Sequence, residues 1–88
     1  MILKMCSIYD SKAEAYLPPL YFRSNGEALR AFETAVKQES SDFFRNPEDY
    51  TFFYLGEWDD TTALCSMELN PVPLARAHEV LSRHLNAA

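Results

Sequence analysis

The chain has few of the residues on which small catalytic and metal-binding sites depend. Its 88 residues include two glycines, two cysteines and two histidines. A phosphate-binding loop needs several closely spaced glycines, and Gly26 and Gly56 stand far apart. Cys6 and Cys65 are likewise too distant in the chain to form a zinc-ligand pair. We therefore expect no metal site, no cofactor and no enzymatic activity.

Basic charge and long apolar runs are also scarce. Thirteen acidic residues stand against eight basic ones, which gives a net charge of −5. This balance argues against a protein that binds duplex DNA through its bulk charge. No apolar run is long enough to span a membrane, so we expect no membrane association. Two cysteines are too few for a disulfide framework, and we expect reduced, buried thiols in a cytoplasmic protein.

The stretch 46–69 organises the chain, which we expect to form a single domain over residues 1–88. Residues 50–58 are rich in aromatic side chains, which favour a strand. Strict alternation places Phe52, Tyr54 and Trp58 on one face of that strand. Phe53, Leu55 and Glu57 lie on the other. Gly56 inside the strand indicates a bulge or a close approach by another group. Residues 59–62 supply turn chemistry, and a return strand over 63–69 completes a hairpin.

The other segments complete a ββαββα pattern. The predicted elements are a strand over 1–9, a return strand over 15–22 interrupted by Pro18-Pro19, a helix from the Ser24 cap to residue 38 or 39, a connection over 40–49, the hairpin, and a final helix after Asn70-Pro71 with Pro73 in its first turn. We expect an α+β fold with a four-stranded antiparallel sheet and two helices, one or both of them on a single face. A right-handed crossover that skips one strand gives the order 2-1-3-4. The halves also echo each other, because Tyr9-Asp10 and Trp58-Asp59 both end a strand before a turn.

Aromatic residues interspersed with cations are the one pattern that points to a ligand. Bases of single-stranded nucleic acid stack on aromatic rings while cations hold the phosphates. The candidate binding residues are Lys4, Lys12, Tyr16, Tyr21, Arg23, Arg30, Phe43 and Arg45. The competing interpretation is that the aromatic rings are core and the cations are solvated. A third interpretation is a docking or dimerisation module that engages a host or phage protein, or a second copy, without nucleic acid.

Two runs carry a resemblance to a known family. They are Ser-Ile-Tyr-Asp-Ser-Lys-Ala at residues 7–13 and Pro-Glu-Asp-Tyr at 47–50, the latter followed by Gly-Glu-Trp-Asp at 56–59. With its flanking residues, most of 1–60 resembles the small nonstructural protein of gokushovirus-like phages, single-stranded DNA phages of the microvirus group. The resemblance implies a nonstructural protein in the host cytoplasm, which acts in genome replication or packaging by binding single-stranded DNA. Trp58 departs from the pattern, in which Phe is more usual.

Overall fold

A computed structural model describes residues 1–86 of the chain and shows an α+β fold. The sheet is antiparallel and contains five strands: β1 (Ile2–Asp10), β2 (Ala15–Tyr16), β3 (Leu20–Phe22), β4 (Tyr50–Asp59) and β5 (Leu64–Arg76). Both β2 and β3 pair with the same edge of β1, which pairs on its other side with β4, and β5 lies beyond β4. The predicted order 2-1-3-4 is therefore confirmed, with the second predicted strand split by Pro18-Pro19. Proline cannot donate to a ladder, so it interrupts pairing at this sheet edge.

The described residues contain three helices, one more than the two predicted, because the connection over 40–49 also forms a single helical turn. They are α1 (Asn25–Lys37), the single turn α2 (Asp42–Arg45) and α3 (Ala77–Asn86), and a 3-10 turn covers Pro47–Asp49. The Ser24 hydroxyl caps α1 by accepting a hydrogen bond from the Glu27 N–H at 3.1 Å. Gln38 closes the helix, as predicted. The short helical pieces lie in the segment 40–49 that was predicted to connect helix and strand.

The core lies between one face of the sheet and the helices. Its buried members are Cys6 and Ile8 of β1, Phe52 of β4, Ala28, Phe32 and Val36 of α1, and Ala77, Val80 and Leu81 of α3. The Phe32 and Phe52 rings stack at 4.7 Å with an interplanar angle of 5°. Because α1 and α3 both pack on this face, the prediction of one or both helices on a single side is confirmed, with both there. The prediction that both cysteines are buried is wrong, since Cys65 lies exposed on β5.

A bulge in β4 changes which side chains share a face. Met5 pairs with Gly56 and Cys6 with Tyr54, so Leu55 is the extra residue. From Gly56 onward the alternation is inverted, and Trp58 shares a face with Phe53 rather than with Phe52 and Tyr54. The predicted bulge at Gly56 is confirmed, but the face predicted for Trp58 is wrong because strict alternation does not survive an extra residue.

A third prediction that the structure overturns concerns β5. The segment after Asn70 was predicted to leave the sheet and enter a helix at Pro73. Instead β5 continues to Arg76, with Pro73 paired with Phe53, and α3 begins at Ala77. Because β5 is an edge strand, a residue whose N–H would face away from β4 has no ladder bond to lose. Proline is tolerated at such positions. The proline-rich segment therefore extends the strand, with an irregularity between Val72 and Met67.

The two long hairpin turns share a local design. The Asp10 carboxylate accepts a hydrogen bond from the Lys12 N–H, and the Asp59 carboxylate accepts one from the Thr61 N–H. Four residues after each aspartate the backbone enters the left-handed region, with φ of 55° at Glu14 and 63° at Ala63. The sequence echo between the halves thus corresponds to the same turn geometry.

Candidate nucleic-acid interface

The sheet face opposite the core carries most of the remaining aromatic side chains. Strand alternation and register place on it Leu3, Met5 and Tyr9 of β1, Tyr16 of β2, Tyr21 of β3, Phe53 and Trp58 of β4, and Cys65 and Met67 of β5. We call this set the open face. The helices of residues 1–86 pack on the other side, so these side chains meet solvent or one another.

Five rings on the open face form two groups. At one end Tyr16 lies between Tyr9 and Phe53, with ring centroids 4.9 and 5.5 Å apart. At the other end the Tyr21 and Trp58 rings lie 5.5 Å apart. All three contacts are tilted or edge-on, a geometry that aromatic pairs favour. The rings within each group therefore do not cover one another face to face.

The middle of the open face is shaped by Gly56. It stands opposite Met5 on one side and Met67 on the other. Without a side chain, Gly56 allows the Met67 backbone to approach closely and its sulfur to cover the gap. Thioethers adapt their shape to neighbouring groups, so this centre is an apolar floor between the two aromatic groups.

The two tyrosines predicted from the sequence are the most exposed rings of the open face. Tyr16 retains 44% and Tyr21 47% of its accessible surface. The connection between β2 and β3 is fixed by the buried hydroxyl of Ser7, which donates to the Leu17 carbonyl at 2.5 Å. The Leu17 N–H in turn donates to the Ile8 carbonyl at 2.8 Å. These bonds hold both tyrosines against the edge of β1 in spite of the intervening prolines.

Lys4, a predicted phosphate contact, lies on the helix side of β1. Its ammonium group donates to the Glu57 carboxylate at 2.6 Å, and this bond raises the pKa of Lys4. The ammonium nitrogen also lies 5.9 Å from the centre of the Tyr54 ring. Lys4 therefore has local partners on the face that the helices share.

Lys12 and Arg45 are brought together beside the start of β4. They line the same cleft of about 410 Å³ with Glu48 and Asp49. The Arg45 guanidinium is paired with Asp42 at 2.5 Å and donates to the Ser40 carbonyl at 2.8 Å. Carboxylates therefore offset much of the positive charge at this cleft.

The remaining predicted binding residues are dispersed. Arg23 is exposed just after β3, and Arg30 is exposed on α1. Phe43 of α2 packs edge-on against Tyr50 at 4.8 Å and lies 6.3 Å from the Phe32 ring, next to the core. The structure thus brings Tyr16 and Tyr21 onto one surface and leaves Phe43 and the predicted cations outside it.

The sequence did not identify Tyr9, Phe53, Trp58 and Arg76 as members of this surface. Tyr16, Tyr9, Thr51 and Arg76 form one cross-strand row, so Arg76 stands in register with the first aromatic group. Its guanidinium lies 3.8 Å from Glu79 and is exposed. Only the register of β5 could have revealed Arg76, because the sequence places it inside a predicted helix.

The residues that the structure describes show neither a metal-site cluster nor a membrane-spanning helix. Within residues 1–86 no cluster of three or more histidine, cysteine or acidic side chains has the arrangement of a metal site. No helix in that range is long and apolar enough to cross a membrane.

Comparison with known proteins identifies a family. No curated protein and no solved structure matches the chain. The family model described as phage ORF5 protein matches residues 3–80, which include β2 to β5, α1, α2 and all of β1 except Ile2. Since the match covers most of the sequence and nearly all of the sheet, the chain belongs to the phage ORF5 protein family.

Proposed function

We propose that this phage protein is a nonstructural protein of the gokushovirus type that acts in genome replication or packaging in the host cytoplasm by binding single-stranded DNA weakly. The observation that carries the proposal is the open face, where five aromatic rings lie on one side of an antiparallel sheet. Aromatic rings on a sheet can stack successive unpaired bases with little regard to sequence. The resemblance of residues 1–60 to the phage nonstructural proteins supports the same role.

The two aromatic groups define how a strand would lie. One base stacks beside Tyr16, a second beside Tyr21, and the strand crosses the apolar floor at Gly56 and Met67 between them. Arg76 supplies a phosphate contact in the row of Tyr16 and Tyr9. With a net charge of −5, stacking provides most of the binding free energy, and the affinity is low.

The test is a titration of a labelled single-stranded oligonucleotide followed by fluorescence anisotropy. Tyr21→Ala removes an exposed ring, and the loss of one stacked base weakens binding by about 5- to 150-fold, from roughly 1–3 kcal/mol. Trp58 is the only tryptophan and lies 5.5 Å from Tyr21, so a base stacked there also quenches its fluorescence.

Leu20→Ala provides a matched control for Tyr21→Ala. Leu20 precedes Tyr21 on β3 and is 49% exposed, close to the 47% of Tyr21, but it lies on the opposite side of the sheet. Binding unchanged by Leu20→Ala and weakened by Tyr21→Ala supports the open face as the interface. If the two variants bind the oligonucleotide with equal affinity, the open face is not the interface.

A second candidate function is docking of a host or phage protein without nucleic acid. It is favoured by an apolar cleft of about 390 Å³ on the helix side, between α1 and the β2–β3 connection. Leu17, Pro18 and Leu20 form its outer wall, and Phe32 and Phe52 lie at its base. This cleft could hold an apolar side chain of a partner. Recovery of a partner from infected cells by the native chain but not by Leu20→Lys, with no DNA binding by either, would favour docking.

A further inference from the structure

The outer edge of β5 differs along its length. Leu64, Cys65, Ser66 and Met67 pair in regular register with Asp59, Trp58, Glu57 and Gly56 of β4. Beyond Met67 the register jumps to Val72, and Pro71 and Pro73 follow. Prolines and irregularities are common means of protecting a sheet edge from pairing. The segment 64–67 has neither, and its outer side is a regular strand edge.

The opposite edge of the sheet is protected. There β2 and β3 contain only two and three residues, and Pro18-Pro19 separates them. Within residues 1–86 the sheet therefore has one unprotected edge segment, at 64–67. A strand that joins the sheet meets the fewest obstacles at this segment.

The side chains of the segment are exposed and uncharged. Leu64 retains 70% and Met67 53% of its accessible surface. Lysine or another charge on an edge strand discourages pairing, and the segment Leu-Cys-Ser-Met has none. Like charges directly opposite each other destabilise a strand pair. The protein has a net charge of −5, but residues 64–67 carry no charge, so two copies that meet at this edge do not place like charges opposite each other within the segment.

We infer that the segment 64–67 pairs antiparallel with the same segment of a second copy, with each Cys65 opposite the other, and that the two copies form a dimer. An antiparallel strand edge is self-complementary, because a two-fold axis perpendicular to the sheet sets each N–H against a carbonyl of the other copy. The protected edge at β2 and β3 stops the addition of a third copy, so the assembly closes as a dimer. Both open faces then lie on the same side of one continuous sheet.

The dimer is independent of DNA binding, although it doubles the surface that the proposed function uses. Only four residues of each copy pair, which falls below the roughly 1,200 Å² of a standard interface, and the association is weak. Sedimentation velocity from about 10 µM to about 1 mM covers the range of weak interfaces of this kind. The native chain shifts from a species of 10.1 kDa toward one of twice that mass.

Charge placed on the edge tests the location. In the double variant L64K/S66K, position 64 of one copy lies opposite position 66 of the other, so the introduced ammonium groups repel each other across the two-fold axis. This repulsion weakens dimerisation by about tenfold or more. Leu69→Lys is the matched control, since Leu69 is 95% exposed and lies in the irregular segment outside the pairing. The control dimerises like the native chain, and circular dichroism verifies that all variants are folded.

Cys65 gives a second, independent measurement on the native chain. It is exposed in the middle of the segment, and in the dimer the two copies of Cys65 lie side by side, within reach of a short bis-maleimide. Cross-linked dimer forms at Cys65 and disappears in Cys65→Ser. A native chain that stays monomeric and uncross-linked at about 1 mM would overturn the inference. So would dimerisation of the double lysine variant at native strength, which would place the contact on another surface.

Discussion

Gly56 is the position at which the structure makes its sharpest prediction about stability. Its φ is +153°, in a region that residues with a Cβ rarely adopt. A methyl group there would lie 2.5 Å from the Ser66 carbonyl oxygen and 2.7 Å from the Met67 Cα. Both contacts involve the backbone of β5, which cannot rotate away as a side chain can. Gly56→Ala must therefore push β5 away from β4 and lose ladder bonds.

The expected loss follows from these two costs. A residue held in a sparsely populated backbone region costs about 1–3 kcal/mol, and the displacement of β5 adds at least a hydrogen bond, about 1 kcal/mol. We expect Gly56→Ala to lower the free energy of unfolding by about 3 kcal/mol or more. A domain of this length has roughly 4–13 kcal/mol in total, so the loss is a large fraction.

Urea unfolding followed by Trp58 fluorescence measures the change, since Trp58 lies in the affected hairpin. Gly26→Ala is the matched control. A methyl group on Gly26 meets only the Ser24 hydroxyl oxygen, at 3.9 Å, and Gly26 lies in the first turn of α1. That variant keeps or raises stability by about 0.5–1 kcal/mol. A Gly56→Ala protein within about 1 kcal/mol of native would refute the account of the bulge.

Three shorter predictions concern the thiols and Ser7. In the native state Cys65 reacts with a thiol reagent while Cys6, which has no accessible surface, reacts only after unfolding; thiol counting with and without denaturant checks this. Burial raises the pKa of the Cys6 thiol to about 11, above the 9.0 of an exposed thiol, so the unfolded state ionises first. Stability then falls as the pH rises from 9.0 to about 11, by on the order of 2–3 kcal/mol, and unfolding curves of Cys6→Ala lack this component. Ser7→Ala removes the bond to the Leu17 carbonyl and lowers stability by about 1–2 kcal/mol, with faster amide exchange at Leu17 as the local readout.

The sheet order and the first helix could be predicted because local signals and topology agree there. Ser24 and Glu27 fix the start of α1, and the stripe through Phe32 fixes the face that it buries. A single right-handed crossover then leaves few arrangements for the hairpins. Pro18-Pro19 marked an edge correctly, since an edge is where a strand tolerates the missing donors.

The end of the sheet could not be predicted because the prolines after Asn70 are consistent with two different structures. Pro71 and Pro73 end a central strand or a helix, but they are compatible with a free strand edge. Which structure forms depends on whether another strand pairs with the outer edge of β5, and none does within residues 1–86. The sequence contains no local signal for that, and so the helix was predicted too early.

Only part of the candidate site could be predicted, because the pairing of the strands decides which side chains meet. Tyr16 and Tyr21 stood out as aromatic residues beside cations, but their neighbours Tyr9, Phe53 and Trp58 join them only through cross-strand register. The extra residue Leu55 moves Trp58 to the open face, and one insertion of this kind reverses every later side chain in the strand. A periodicity argument can locate the bulge at its glycine but cannot say which strand carries the additional residue.

Salt dependence separates the open face from the predicted cations as the binding surface. Each phosphate contact of a single strand contributes about −0.7 to the slope of log K against log salt. Binding on the open face uses one cation, Arg76, for a phosphate contact. The affinity therefore falls only about threefold between about 50 and about 200 mM salt, and Arg76→Gln removes this salt dependence. Arg30→Gln, an exposed cation on α1, leaves the slope unchanged. A slope several times steeper, reduced by substitutions at Lys12, Arg23 or Arg45, would instead place the strand along the cations outside the sheet, because stacking alone does not release counterions.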